Sequence, residues 1–291
     1  MSFTLTKSNE EKEMRKLIIV SHMFPNNIDI NSGIFVYEQV KSIAKLCKYK
    51  VTVLSPVPCS PRILWFRKKW RDYGRVQKNR KIGGIQVLYI RYLCFPGSNI
   101  FFLQGVTMFF SILLQLRKLI SKKEEVIVHV YSALPDGLAV SLLKLFYRNI
   151  KTVLSVLGSD INTYPYRNRI TMLFTKYSLS HNNAVAAVSN DLAHKCRRLC
   201  RNLTDRMEVI YNGLDEDWFK TSEKEQIEIE RMEKEYKYNK KLLFAGEIIK
   251  EKGIYELIYS FAEIAKKYND ICLFIVGDGT EREELQRALS F

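Results

Sequence analysis

Residues 242–279, LLFAGEIIKEKGIYELIYSFAEIAKKYNDICLFIVGDG, leave the chain few choices of fold. They open with the apolar run Leu242-Leu243-Phe244-Ala245, which stops at Gly246 as a buried parallel strand does. A charged loop with Glu247, Lys250, Glu251 and Lys252 follows, and a helical pattern starts at Gly253. The apolar residues Ile254, Leu257, Ile258, Phe261 and Ala265 fall at i, i+3, i+4, i+7 and i+11, one face of a helix. Residues 271–276 read as a second strand ending at Gly277-Asp278-Gly279. Two parallel strands joined by a helix place these loops at the carboxyl edge of a sheet. Unpaired amides and the positive end of a helix dipole there favour a phosphate by about 0.3–2 kcal/mol. Lys252 adds a full charge at the same place. The dinucleotide fingerprint is missing, because Gly277-Asp278-Gly279 lacks the third glycine and the spacing from strand to helix.

The first half repeats the same grammar. Residues 16–21 (KLIIVS) read as a buried strand, and a loop from His22 to Ser32 leads to Gly33. Asn31 and Ser32 look like a helix cap, and Val36, Val40, Ile43, Ala44 and Cys47 mark one face of the helix that follows. Residues 51–54 return as the next strand, closing an opening βαβ unit. Further strands are expected at 85–90, 126–130, 152–157 and 184–188, the last running into a helix capped at Ser189. Residues 100–116 are strongly apolar but short of the ~20 residues needed to span a bilayer, so a buried helix is expected.

Several motifs resemble glycosyltransferase family 4. In that family a strand leads into Gly-Arg-Leu, then Lys-Gly, a helix, a strand and Gly-Asp-Gly; here the residues are Gly246-Glu247-Ile248, Lys252-Gly253 and Gly277-Asp278-Gly279. The family's arginine and lysine hold the diphosphate of a nucleotide-sugar. Lys252 is retained, whereas Glu247 puts an acid at the arginine position. The family's His-x-His and Pro-Asp-Gly appear as His129, Tyr131 and Pro135-Asp136-Gly137, with tyrosine replacing the histidine that lies near the reacting sugar. Its His-Gly-Ser-Asp becomes Leu157-Gly158-Ser159-Asp160. Asp160 can accept hydrogen bonds from an acceptor or cap the following turn. The glycine pair of the first loop is reduced to Gly33, either a phosphate-facing amide or a helix cap. Residues 209–215, VIYNGLD, closely match the family's Ile-x-Asn-Gly-Val-Asp, placing Asn212 and Gly213 next to an interdomain connection.

The resemblance implies an α/β chain of the GT-B type with two Rossmann-like domains. A polar extension covers residues 1–15, an acceptor-side domain 16–219, a charged helical linker 220–240, and a partial donor domain 241–291. Only two strands of the second sheet precede Phe291, so that domain is expected to be incomplete, and with Glu247, Tyr131 and Leu157 this weighs against full activity. The implied activity is retaining transfer of a hexose-like sugar from a nucleotide-diphosphate sugar to a polysaccharide or lipid-linked acceptor. The candidate catalytic residues are then Tyr131, Asp160 and His129, and the candidate donor residues Gly33, Lys252, Gly253, Gly277 and Glu247. The rival reading is a non-catalytic remnant that binds a membrane or a partner. An NAD-dependent enzyme is disfavoured by the missing fingerprint. No cofactor and no metal are expected.

Charge is placed unevenly. Residues 1–215 hold 33 Lys and Arg against 14 Asp and Glu, +19, whereas residues 216–291 hold 13 against 17, −4. A basic first half suits an anionic partner; nucleic acid is disfavoured because no helix-turn-helix, zinc finger or RNP pattern occurs. Residues 61–81 interleave Trp65, Phe66, Trp70 and Tyr73 with nine Lys or Arg, among them Arg67, Lys68 and Lys69. This composition suits a membrane interface, or equally a solvated face with its aromatics tucked inward. The six scattered cysteines form no zinc set, and residues 1–16 carry no secretory signal. A cytoplasmic protein with free, mostly buried thiols is expected, in peripheral contact with the inner face of the plasma membrane.

Overall fold

A computed structural model describes residues 15–46, 49–94, 101, 103–121 and 124–289. The expectations for the polar stretch up to residue 14 and for Cys47, Ile100, Phe102 and Phe291 lie outside the described residues. The chain divides into two compact units, Met1–Asp215 and Glu216–Phe291.

The first unit is built on an eight-stranded sheet: β1 (Lys16–Val20), β2 (Lys50–Pro58), β3 (Asn79–Ile82), β4 (Ile85–Tyr92), β5 (Val126–Tyr131), β6 (Ile150–Val156), β7 (Ala184–Ala187) and β8 (Met207–Val209). Their order is β3-β4-β2-β1-β5-β6-β7-β8, and all neighbours are parallel except the β3–β4 hairpin. Its helices are α1 (Ile34–Leu46), α2 (Lys68–Arg75), α3 (Leu103–Leu119), α4 (Leu138–Leu143), α5 (Ser159–Asn162), α6 (Arg169–His181) and α7 (Asn190–Leu199). β1 shows why the run is apolar without alternation. Leu17 and Ile19 pack with Val36, Val40 and Val53 on one face, and Ile18 and Val20 with Met108, Ile112 and Leu116 on the other. With both faces covered, every position of β1 after Lys16 at its start is apolar and buried.

The chain reverses its direction of winding between β1 and β5. From β1 the sheet grows one way through β2 and β4 and the other way through β5 to β8. The loops that leave the carboxyl ends of these two strands therefore part company and leave a crevice, the usual ligand position in open α/β sheets.

α3 buries Gly105, Met108, Phe109, Ile112, Leu113 and Leu116 but leaves Phe110 and Leu114 exposed. The expected buried helix is thus buried along one face. Among the described residues no helix is long and apolar enough to cross a membrane. The thiols also differ from expectation: among the described cysteines only Cys196 is buried, and Cys59, Cys94, Cys200 and Cys272 are half-buried.

The second unit holds α8 (Glu223–Glu235), β9 (Lys240–Ala245), α9 (Ile254–Ala265), β10 (Ile271–Val276) and α10 (Arg282–Leu289). β9 and β10 pair in parallel, with Leu242 opposite Leu273 and Phe244 opposite Ile275. A small core of Ile248, Ile254 and Leu285 gathers Phe244, Leu257, Ile258 and Ile275 around it. The expectation of a buried strand at 242–245 fails: Leu242, Leu243 and Ala245 are exposed and Phe244 half-buried. Two strands and this one cluster cannot cover both faces of an apolar run.

Candidate active site

The crevice between the loops after β1 and β5 is closed by an ion pair. Asp136, fully buried, accepts the backbone N–H of His22 at Oδ1 (2.9 Å), and its Oδ2 makes a short contact with His22 Nδ1. A carboxylate partner assigns the proton to Nδ1 and leaves Nε2 with no partner among the described residues. Burial alone would discourage the imidazolium. The charge and hydrogen bond of Asp136, with the charge of Asp160 behind it, outweigh that and hold the His22 pKa above its ordinary value. The side chain remains 28% exposed.

The backbone around Asp136 is unusual. Ser132, the first residue beyond β5, has φ +83°, a conformation that costs a non-glycine residue about 1–3 kcal/mol. It is fixed by Ser132 N–H donating to Ser155 O (2.8 Å) and its hydroxyl to Leu134 O (2.5 Å). A Cβ on Gly137 would lie 2.4 Å from Ser178 Oγ, so the glycine of Pro135-Asp136-Gly137 is required by packing. His22 opens onto a cavity of about 560 Å³ whose wall also carries Asp29, Ser55, Lys68, Asp72 and Tyr73.

The three residues expected to be catalytic lie nearby but in different settings. His129 Nε2 is 2.8 Å from Ser155 Oγ, and its ring stacks on Tyr131 with centroids 4.5 Å apart. Burial pushes its pKa down to about 4. It lines a separate groove of about 340 Å³ beside α1, with Gln39, Ile43, Ser155 and Gly213. Tyr131 is fully buried, its hydroxyl has no hydrogen-bond partner, and burial raises its pKa. A phenol enclosed in this way presents no face to a substrate, so Tyr131 serves the core. Asp160 is 2% exposed, and its carboxylate accepts the amides of Ala133 (2.7 Å), Leu157 (3.1 Å) and Gly158 (2.8 Å). Burial raises its pKa while these amides oppose the rise. Of the two readings of Asp160 the turn cap is the one observed, and the residue holds the β5 and β6 loops together.

Gly33 sits at φ +59° ahead of α1, and a Cβ there would lie 2.3 Å from Met23 O, so the loop after β1 folds directly over it. At the end of the unit, Asn212 Oδ1 accepts from Gln39 Nε2 (2.7 Å), and Asp215 meets Lys41 (3.4 Å). Asn212 thereby ties the chain to α1 just before the unit ends.

The second unit brings the other expected residues into one pair of loops. Gly246 N–H donates to Val276 O (3.0 Å) and Ile248 N–H to Asp278 O (2.8 Å). The loops touch so closely that a Cβ on Gly277 would fall 1.8 Å from Gly246 O, and one on Gly279 2.2 Å from Ile248 O. The Gly-Asp-Gly motif is thus explained first by packing. Gly253 at φ +71° turns the chain into α9, whose N-terminus has no side-chain cap and is left with unsatisfied amides. Lys252 stands exposed immediately before it, and Glu247 is exposed on the same connection.

The basic segment departs from the interfacial expectation. Trp70 is 7% exposed, lies edge-on to Tyr73 and belongs to the interior. Trp65 is half-buried over Gly74 and donates Nε1–H to Ser60 O (3.2 Å). Neither indole is free to enter a bilayer; both are tucked inward. Arg67, Lys68 and Lys69 are exposed, as are Ile63 (82%) and Phe66 (76%).

Sequence reasoning overlooked the pairing of His22 with Asp136. The two lie 114 residues apart, and only the order of the strands brings them together. The available signal was a polar residue in the loop that follows each of two buried strands.

A doubly wound first unit, a βαβ second unit and loops gathered at carboxyl edges define a glycosyltransferase of the GT-B fold. The chain belongs to glycosyltransferase family 4: residues 33–218 match the model of that family, and residues 225–290 match that of glycosyl transferases group 1. TuaC of Bacillus subtilis, which bears the name of a teichuronic acid biosynthesis glycosyltransferase, is 24% identical over 273 residues, covering 93% of this chain and 67% of that protein. Among solved structures, sucrose-phosphate synthase from Thermosynechococcus elongatus superposes with TM-score 0.65 at 13% identity, over 94% of this chain and 67% of its own. Anabaena HepE, solved in complex with UDP, gives TM-score 0.61 at 13% identity, over 94% and 64%. The chain spans about two thirds of the length of these relatives.

Proposed function

We propose that this glycosyltransferase takes a sugar from a nucleotide-diphosphate sugar and passes it, with retention, to a polysaccharide or lipid-linked acceptor. The observation that carries the donor half is the uncapped N-terminus of α9 behind Gly253, with Lys252 exposed beside it. Amides at a helix start and one ammonium suit a diphosphate, whose charge grows as the glycosidic bond breaks. The positive-φ turn at Gly33, before the start of α1, is the matching element of the first unit. The UDP complex of HepE and the name of TuaC support a nucleotide-sugar donor and a role in polysaccharide biosynthesis. Among the described residues no group of three or more His, Cys, Asp or Glu side chains is placed to hold a metal ion.

Calorimetry with UDP and GDP tests this reading. Lys252→Ala should weaken binding by about 10- to 150-fold, the worth of a charge-assisted contact of about 1.5–3 kcal/mol. Glu247→Arg should tighten it, because an exposed acid on this connection repels the diphosphate. Unchanged affinity in both variants would remove the donor site from this loop.

A membrane-surface role draws support from Ile63 and Phe66, exposed among Arg62, Arg67, Lys68 and Lys69. Phe66→Ala should then weaken binding to anionic vesicles, and salt should release the protein. Equal binding to neutral vesicles would sink that role.

A further inference from the structure

We infer that the outer face of α3, together with the turn after α4, is a docking surface for an anionic lipid bilayer. This goes beyond the membrane role drawn from Ile63 and Phe66, because it places the anchor on a folded helix layer and on other residues.

Exposed apolar residues set the patch. Phe110 and Leu114 lie one turn apart on α3, and Leu145 and Phe146 follow the end of α4; all four are between 56% and 70% exposed. Buried Phe109 joins the two elements beneath them, its ring centroid 5.0 Å from that of Phe110 and 5.5 Å from that of Phe146. Single exposed leucines are ordinary on a protein surface, whereas a contiguous patch of large apolar side chains marks a place where something docks.

Charge says what docks there. Residues 73–123 contain no Asp or Glu, and residues 137–190 contain only Asp160, which is buried. The stripe of Phe110 and Leu114 runs on into Arg117 and Lys118, exposed in the last turn of α3, and exposed Arg148 closely follows Phe146. The helix dipole alone would favour cations at the end of α3. It does not explain α6, which packs against α4 as α3 does. Arg169 is the first residue of α6, where the dipole favours an acid, and it is exposed beside Ile170 and Leu173. Among the described residues Arg117, Lys118, Arg148 and Arg169 form no ion pair. Exposed cations around large apolar side chains, with no carboxylate among them, fit a surface that is anionic outside and apolar beneath. A second copy of this face would set cations against cations. A nucleic acid would leave Phe110, Leu114 and Leu145 with nothing apolar to cover them.

The test uses the whole chain and its sedimentation with vesicles of mixed phosphatidylglycerol and phosphatidylcholine, or of phosphatidylcholine alone. The wild type should pellet with the anionic vesicles, stay in solution with the neutral ones, and be released by about 0.5 M salt. Arg117→Gln with Lys118→Gln should weaken binding about 25-fold, about fivefold for each cation at the leaflet. Phe110→Ser with Leu114→Ser should weaken it about tenfold or more, with an unfolding midpoint close to that of the wild type because both side chains are exposed. In Phe110→Trp, lipids brominated on their acyl chains should quench the added fluorescence. Undiminished binding in both double variants overturns the inference, as does an absence of quenching in Phe110→Trp. A dimer in sedimentation velocity that Phe110→Ser with Leu114→Ser dissolves, with no vesicle bound, would give the face to a second copy and overturn it too. Phe66→Ala on the same vesicles separates the two surfaces. A loss there alone sinks this inference and leaves the loop, a loss in the α3 variants alone does the reverse, and no binding by the wild type sinks both.

Discussion

Two histidines, one within β5 and one in the loop after the neighbouring β1, have opposite characters. His129 is part of β5, where it sits opposite Ile19 of β1, while His22 lies two residues past the end of β1. That short offset decides everything else. Within the strand, His129 is half-buried on the wall of the groove beside α1, stacks on Tyr131 and bonds a neutral hydroxyl, so burial drives its pKa down to about 4. Beyond the strand, His22 keeps part of its surface in a cavity and meets a carboxylate, so its pKa rises. The partner each ring meets, a neutral hydroxyl or a carboxylate, separates a neutral histidine from a chargeable one.

The contrast can be broken most forcefully at Asp136. Removing a fully buried carboxylate from its partner, as in Asp136→Ala, should cost about 3 kcal/mol and be visible as a large fall in the unfolding midpoint. A loss below about 1 kcal/mol would mean that the pair is not the anchor of the two loops. On the other side of the comparison, Ser155→Ala removes one neutral hydrogen bond to His129 and should cost about 1 kcal/mol. Denaturant titration of both variants gives the two numbers, and the order matters more than either value.

A subtler difference lies in the pH dependence of stability. The folded pKa of His129 is depressed, so the unfolded chain binds more protons between about pH 4 and 6.5, and stability should fall as the solution is acidified through that window. The folded pKa of His22 is raised, so its contribution is complete below pH 6.5 and is lost as pH climbs through the folded value. His129→Gln should therefore flatten the acid side of the stability curve, and His22→Gln the alkaline side. The same flattening in both variants would show that one environment had been misjudged.

Much of this architecture is legible in the residues. The mostly apolar runs of β1, β2 and β5 announce strands covered on both faces, and Ser189, whose hydroxyl accepts Leu192 N–H at 3.2 Å, marks the start of α7. The Gly-Asp-Gly motif is equally readable, although its first reason is that Gly246 O and Ile248 O leave no room for a side chain. Other features are hidden because burial is a property of what lies opposite. An apolar run in β9 resembles a buried strand until the number of its neighbours is known, and an indole among cations looks interfacial until Trp70 is found inside. Asp160 could equally have faced a ligand; three amides converging on it decided the matter. The His22–Asp136 pair was the least readable, since it depends on which strands are neighbours.

The most direct measurement is a titration of the histidine ring signals by NMR, with assignments from His22→Gln and His129→Gln. The signal lost in His22→Gln should titrate above pH 6.5, and the signal lost in His129→Gln should remain that of a neutral ring down to pH 5. Should His129 instead take up its proton near pH 6.5 or above while His22 stays neutral, the groove beside α1 would hold the chargeable histidine, and the pairing of a charged His22 with Asp136 would be contradicted.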